Sequence, residues 1–293
     1  MPTVLEAGVV LAGRHRLDRP LGEGGMGVVW AATNMRTGMP VAVKLLKPGG
    51  SSAERSLDTF SPRSSAPERP PDARGKERFL REARAAAAVR HPNVVQIYDL
   101  GGHDHGNTHI GMDHQAGESQ RTPHKRSGAL GVREAAQILV PVLSAVGAAH
   151  SLGIVHRDLK PDNIFLCDDD NHGKRVKVLD FGIAKQTAMG SETQDAALTA
   201  TGMVVGTPYY MSPEQVFGDS DIDHRADVWA LGVLMYECFT GVRPTQADGV
   251  GQVLKVIMKG SIPPLSSAAP TVPAELAGTI DRMLSRDRAD RPA

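Results

Sequence analysis

Through the first hundred positions apolar residues come in short runs that alternate with polar ones, and only later do they settle into a helical repeat. Arg16–Leu21 reads as a strand leading into the glycine-rich stretch Gly22-Glu23-Gly24-Gly25-Met26-Gly27, and the β-branched, aromatic run Gly27-Val28-Val29-Trp30-Ala31 reads as a second strand. Thr37-Gly38 is a turn signal before a third strand, Met39–Leu46. Pro48 to Gly75 holds almost no large apolar residue and cannot offset its ordering entropy, so it reads as a disordered insert. Lys76–Val89 has the Ala, Arg and Glu content of a helix, closed by His91-Pro92, and Val94–Leu100 is another strand. Val132–Ser151 places Ala136, Leu139, Val140, Leu143 and Val146 at helical spacing, a long core helix that Pro141 should kink. Arg175–Leu179 reads as a strand, and Asp227 opens an apolar helix running to Thr240, where Gly241 stops it. Val250–Met258 and Ala274–Leu284 read as two smaller helices joined by a proline-rich loop.

Composition narrows the class. A chain of 293 residues suits one large domain or two lobes, and 41% hydrophobic with 23% charged residues is ordinary for a globular protein. Aromatics are only 4%, so the core must rest on Val, Leu, Ile, Ala and Met. A formal net charge of zero gives no sign of a nucleic-acid partner or a basic membrane face. Cys167 and Cys238 stand far apart in no metal-binding spacing and read as buried, reduced thiols. Met1–Gly13 lacks the charged start and long apolar core of a signal peptide. The longest apolar stretch, Val228–Phe239, is interrupted by Glu237 and too short to span a bilayer. A cytoplasmic chain without a membrane segment is the expectation.

The chemistry gathers in one polar loop, His156-Arg157-Asp158-Leu159-Lys160-Pro161-Asp162-Asn163, set between Gly153-Ile154-Val155 and Ile164-Phe165-Leu166. It offers a carboxylate to accept a proton, a lysine to neutralise charge and an amide oxygen, which is equipment for moving a phosphoryl group to a hydroxyl. A glycine pattern like that at Gly22–Gly27 also occurs in dinucleotide-binding folds, but there it opens a helix, whereas here a strand follows. Lys44 is the single charge within its apolar run, and Asp180-Phe181-Gly182 follows the Arg175–Leu179 strand.

In their order and spacing these residues resemble the eukaryotic-type (Hanks-type) Ser/Thr protein kinase family, its bacterial members most, over Arg16 to Pro292. The resemblance implies an α+β, bilobal protein-kinase-like fold. Residues 1–14 would be an N-terminal tail and 15–113 a small β-rich N-lobe with one main helix and the insert at 48–75. Residues 114–293 would be the hinge and a larger, mostly helical C-lobe lacking the family's final helix. It implies transfer of the γ-phosphate of ATP to protein serine and threonine hydroxyls, with ATP and Mg2+ as cofactors. By likeness Asp158 is the proton acceptor, Lys160 neutralises the transferring phosphate and marks Ser/Thr specificity, and Lys44 grips the α/β-phosphates while paired with Glu82. Asn163 and Asp180 would hold Mg2+. Leu21, Gly22, Glu23, Gly24, Gly25, Met26 and Gly27 would cover the nucleotide, with Val29, Ala42, Lys44, Met112 and Phe165 completing its site. Thr207 would contact Asp158 and Lys160, Glu214 would pair with Arg291, and Asp227 would brace the loop's backbone.

Residues 101–128 depart from the family pattern. Met112 aligns with the back of the adenine pocket and Asp113 to Gln115 with the hinge, but Gly111 should weaken a strand there and Arg121–Ser127 is strongly polar. Five histidines (103, 105, 109, 114 and 124) find no carboxylate or cysteine at a recognised ligand spacing, and read as a solvated polar loop. Ile183–Val205 resembles an activation loop, with autophosphorylation expected at Thr199 or Thr201 and the phosphate docking near Arg157. The insert is either a tolerated loop or a regulatory segment using Ser61-Pro62. Expected partners are proteins with Ser/Thr acceptors and a second copy for trans-autophosphorylation. A pseudokinase-like binding or scaffold module with weak or no catalysis is the alternative. A small-molecule phosphotransferase is a third reading, disfavoured by Thr207 and Ser212-Pro213-Glu214, which in the family serve peptide substrates.

Overall fold

The computed structural model describes residues 6–24, 27–46, 83–102, 108–113, 117–119, 128–169, 173–181 and 208–293. Outside the described residues lie the insert at 48–75, Glu82, Gly25, Met26, His103, His105, His114, Gln115, His124, Gly182, the segment 183–205 and Thr207. The chain divides into two compact units. The described residues of Met1–Arg84 and Ile97–His114 form the first, and those of Ala85–Gln96, Gln115–Lys185 and Glu192–Ala293 the second.

The first unit is a sheet of six antiparallel strands: β1 (Val10–Leu11), β2 (His15–Gly24), β3 (Gly27–Asn34), β4 (Pro40–Leu46), β5 (Ile97–Gly102) and β6 (Thr108–Asp113). Their spatial order is β1-β2-β3-β4-β6-β5. Strand alternation sorts the side chains by face. Leu11, Leu17, Trp30, Ala32, Val41, Val43 and Leu45 form one buried cluster, and the intervening positions of β3 and β4 point the other way. The sheet curls around this cluster. β2 and β5 stand four places apart in the strand order, yet Arg14, just before β2, donates to the Asp99 carboxylate of β5 at 3.1 and 3.2 Å. Gly111 does not prevent a strand. β6 forms as an interior strand because Gly111 is paired on both sides, with Val43 and Asp99.

In the second unit, β7 (Gly117–Ser119), β8 (Ile164–Asp169) and β9 (Gly173–Val178) make a small sheet, joined by the helices α1 (Val132–His150), α2 (Pro213–Phe217), α3 (Arg225–Thr240), α4 (Val250–Lys259), α5 (Leu265–Ala268) and α6 (Ala274–Met283). Residues 83–88 are also helical, within the helix expected at Lys76–Val89. α1 continues through Pro141, but its buried stripe is Ala135, Leu139, Val142, Ala145, Val146 and Ala149. Ala136 is exposed, and Val140 and Leu143 are 60% and 37% exposed. The stripe is turned from the expected one because alanines let α1 pack closely on α3 and β9. By length and composition α1 is the one described helix apolar enough to cross a membrane. α3 is buried nearly all round, including Trp229, Leu234 and Phe239, and ends at Gly241 with φ +77°. Cys167 and Cys238 are buried thiols.

One buried ion pair ties the end of the chain to α2. Arg291 donates to both Glu214 oxygens at 2.7 and 2.9 Å, with side chains 0% and 5% exposed. Burial pushes the Glu214 carboxyl up, but the hydrogen bonds and charge of Arg291 outweigh it and hold the group below its ordinary value of 4.5. The pair's stabilisation is therefore present above that value and lost as pH falls through the lower, folded one. Arg291→Met, which strands a buried carboxylate, is expected to cost about 3–5 kcal/mol in denaturant unfolding at neutral pH, and a second change, Glu214→Leu, to restore most of it.

Candidate active site

The 156–163 loop is held from beneath by one carboxylate. Asp227, 1% exposed at the start of α3, accepts the backbone N–H of His156 and of Arg157, both at 2.7 Å. His150, at the end of α1, meets the same carboxylate at 2.8 Å through Nε2. Arg157 has φ +62°, a left-handed conformation that costs a non-glycine residue roughly 1–3 kcal/mol. It persists because both its peptide groups are pinned: Asp227 takes its N–H, and its carbonyl accepts from Gln215 Nε2 at 2.8 Å. Gln215 escaped the sequence reading, although Ser212-Pro213-Glu214-Gln215 carries a readable helix-start signal: its Oε1 accepts the Ser212 N–H at 3.0 Å.

His156 is buried, and its ring serves structure. Nε2 donates to the Leu179 carbonyl at 2.8 Å, which fixes the tautomer and leaves Nδ1 to accept the Asp158 N–H at 3.3 Å. Its ring also lies 4.8 Å from that of Phe181. Leu179 N–H donates to the Asn163 carbonyl at 2.9 Å. Asp180, left-handed at φ +51°, is thus set between two anchored neighbours.

On this base stand the chemical groups. Lys160 Nζ lies 2.8 Å from Asp158 Oδ2, with side chains 33% and 17% exposed, so a substrate can reach both. Asn163 Nδ2 donates to the Asp158 carbonyl at 2.7 Å and approaches Oδ2 at 3.3 Å. With its amide nitrogen committed to Asp158, Asn163 presents a carbonyl oxygen, and Asp180 a carboxylate; these hard oxygen donors suit Mg2+. Asp158 and Lys160 line a pocket with Arg157, Tyr210, Met211 and Gln215. Tyr210 is fixed by its hydroxyl on Glu237, and burial, then that carboxylate, raise its phenol well above the ordinary value, so it stays a donor. Phe165 is half-buried on β8, paired with Lys177.

The first unit gathers its own set. Lys44 is buried on β4, an interior strand, rather than a solvent-facing edge. The register places it opposite Val29 on β3 and Ile110 on β6, and places Ala42 opposite Met112. Val29, Ala42, Lys44 and Met112 therefore share the face opposite the apolar cluster. Gly22, paired with Val29, and Glu23 are exposed in the β2–β3 hairpin, as is Leu21, and Gly24 pairs with Gly27 at its tip. Asp113, at the end of β6, accepts the Tyr98 hydroxyl.

The bracing has a measurable consequence. Asp227→Ala is expected to cost about 1–3 kcal/mol for each amide left without its acceptor, and to speed hydrogen exchange at the His156 and Arg157 amides. Unchanged exchange at those two amides would contradict the bracing role.

The sequence profile described as the protein kinase domain matches residues 15–293. Serine/threonine-protein kinase pkn3 of Myxococcus xanthus is 37% identical over 288 residues, covering 98% of this chain and 49% of that protein. Serine/threonine-protein kinase PknA of Mycobacterium tuberculosis is 38% identical over 289 residues, covering 97% of this chain and 59% of that protein. The chain thus spans about half the length of the curated relatives it matches. Among solved structures, the kinase domain of Mycobacterium tuberculosis PknI, as a double mutant, aligns with a TM-score of 0.72 at 28% identity, over 99% of this chain and 94% of that one.

Proposed function

Because the chain belongs to the protein kinase domain family, we propose that it is an ATP-dependent Ser/Thr protein kinase. The observation that carries this reading is the hydrogen-bonded set Asp158–Lys160–Asn163, accessible and held on the Asp227 carboxylate.

A serine or threonine hydroxyl of the acceptor protein donates to Asp158, which aligns the oxygen and takes its proton as that oxygen bonds to the γ-phosphorus. The bond from the γ-phosphorus to the bridging oxygen breaks, and ADP leaves. Lys160 neutralises negative charge on the transferring group. By likeness to the family, Lys44 would hold the α/β-phosphates with Glu82 as its partner, and the Gly22–Gly27 stretch would cover them. By the same likeness, Leu21, Val29, Ala42 and Met112 of the first unit, and Phe165 of the second, would each contribute to binding the base and sugar. Mg2+ held by Asn163 and Asp180 would neutralise the β- and γ-phosphate oxygens. The enzyme acts where ATP is supplied, in the cytoplasm. Its activation segment is phosphorylated at Thr199 or Thr201 by a second copy, and the new charge docks near Arg157.

Mg2+-dependent transfer of labelled γ-phosphate from ATP to a generic basic protein tests the activity. Asp158→Asn is expected to lower turnover about 10²- to 10⁴-fold, and Lys44→Met to abolish measurable transfer. An intact, folded chain no better than these variants would establish a scaffold instead. Phosphopeptide mapping of wild type against Asp158→Asn should find Thr199 or Thr201 modified only in the active protein; equal modification in both would end the idea of autophosphorylation.

A further inference from the structure

We infer that the curled sheet of the first unit carries a zinc-binding site made by His15, Asp99 and His109. Asp99 Oδ2 lies 3.9 Å from His15 Nδ1 and 3.9 Å from His109 Nε2. One donor atom from each residue falls within 4.8 Å of both others. The two rings meet edge-on with centroids 5.8 Å apart. His109 is fully buried and His15 is 3% exposed, and His15 Nδ1 has no hydrogen-bond partner among the described residues. His109 is therefore no part of a solvated loop. Asp99 comes from the adjoining strand β5 and His15 from β2, far earlier in the chain, so ligand spacing along the chain did not mark the three together.

The surroundings leave room for this pairing. A Cβ at Gly101 would stand 2.4 Å from His109 Cε1, and one at Gly111 would stand 3.2 Å from Asp99 Cβ and 3.5 Å from His15 Cε1. Two small positions, on the two strands that carry Asp99 and His109, thus admit a polar cluster where the rest of this sheet face is apolar. Arg14 holds Asp99 from outside, as an outer partner that orients a metal-ligating carboxylate.

The donor chemistry selects the ion. Two imidazoles and one carboxylate suit Zn2+, whereas Mg2+ and Ca2+ prefer oxygen throughout. Tetrahedral Zn2+ with bonds of about 2.0–2.1 Å sets its ligands roughly 3.4 Å apart, so the two 3.9 Å edges close by about half an ångström. Asp99 is 19% exposed, which leaves water a route to the fourth position. The ion would pin β2 to the β5–β6 pair and so brace the strand that carries Met112.

The test uses the whole chain without a polyhistidine tag, in excess Mg2+ to occupy Asn163 and Asp180, and without nucleotide. After Zn2+ loading and dialysis, elemental analysis should find one zinc per chain, and added Zn2+ should raise the unfolding temperature. Co2+ in its place should give the intense visible bands of four-coordination. His15→Phe and His109→Phe, which keep the ring volume, should lose the retained metal and the thermal shift, and Arg14→Ala should weaken binding about 10- to 100-fold. Wild-type protein that keeps no zinc, or gives only six-coordinate Co2+ bands, overturns the site. So do phenylalanine variants that retain zinc as wild type does. Should those variants fail to fold, the wild-type stoichiometry and Co2+ spectrum decide alone.

Discussion

A single buried carboxylate at the start of α3 sets the shape of the loop that presents Asp158, Lys160 and Asn163. Asp227 is 1% exposed, and it accepts two consecutive backbone amides and meets a histidine from α1. Charge-assisted bonds of this kind are stronger than neutral ones, and two of them on adjacent peptides can hold Arg157 in a left-handed conformation it would otherwise avoid. The strain is local, but its effect reaches Asp158. The turn at Arg157 directs the next residue toward Lys160 and Asn163, while Gln215 and His156 pin the loop from α2 and from the Leu179 carbonyl. The anchor itself sits in a helix buried on nearly every side, so the loop inherits the rigidity of the core.

The two units solve different problems with the same economy of aromatic residues. The sheet uses strand parity, with one face closing on Leu17, Trp30, Val41, Val43 and Leu45 and the other presenting Val29, Ala42, Lys44 and Met112. The helical unit relies on close approach, seen in the alanine-rich stripe of α1 against α3. Arg291 on Glu214 and Arg14 on Asp99 close each unit with a charged pair between residues far apart in sequence.

What could be read from the sequence was what lies contiguous in it. The loop from His156 to Asn163, the strand–glycine–strand hairpin and Lys44 in an apolar run all announce themselves locally, and strand register then sets Lys44 beside Val29 as the period of two requires. Gly241 likewise marks its helix end. The buried face of α1 was misjudged because Val140 and Leu143 outweigh alanine in a hydrophobic pattern, while packing favoured the smaller side chains. Gly111 suggested a weak strand, but its meaning depends on Asp99, its register partner on β5, and on His15, which sheet curvature brings near. The same holds for His109, which meets Asp99 across the β5–β6 pair and His15 from the start of β2.

The central claim is that Asp227 acts by positioning, through backbone bonds that hold Asp158 in place for the proton acceptance proposed for it. Asp227→Asn tests it most directly, since it keeps the size of the side chain while removing its charge and one of its acceptors. Single-turnover phosphoryl transfer and ATP affinity should be measured on the same preparation. The account predicts that the transfer step slows while ATP affinity stays at the wild-type value. Transfer at the wild-type rate, or a loss wholly explained by weaker ATP binding, would contradict it.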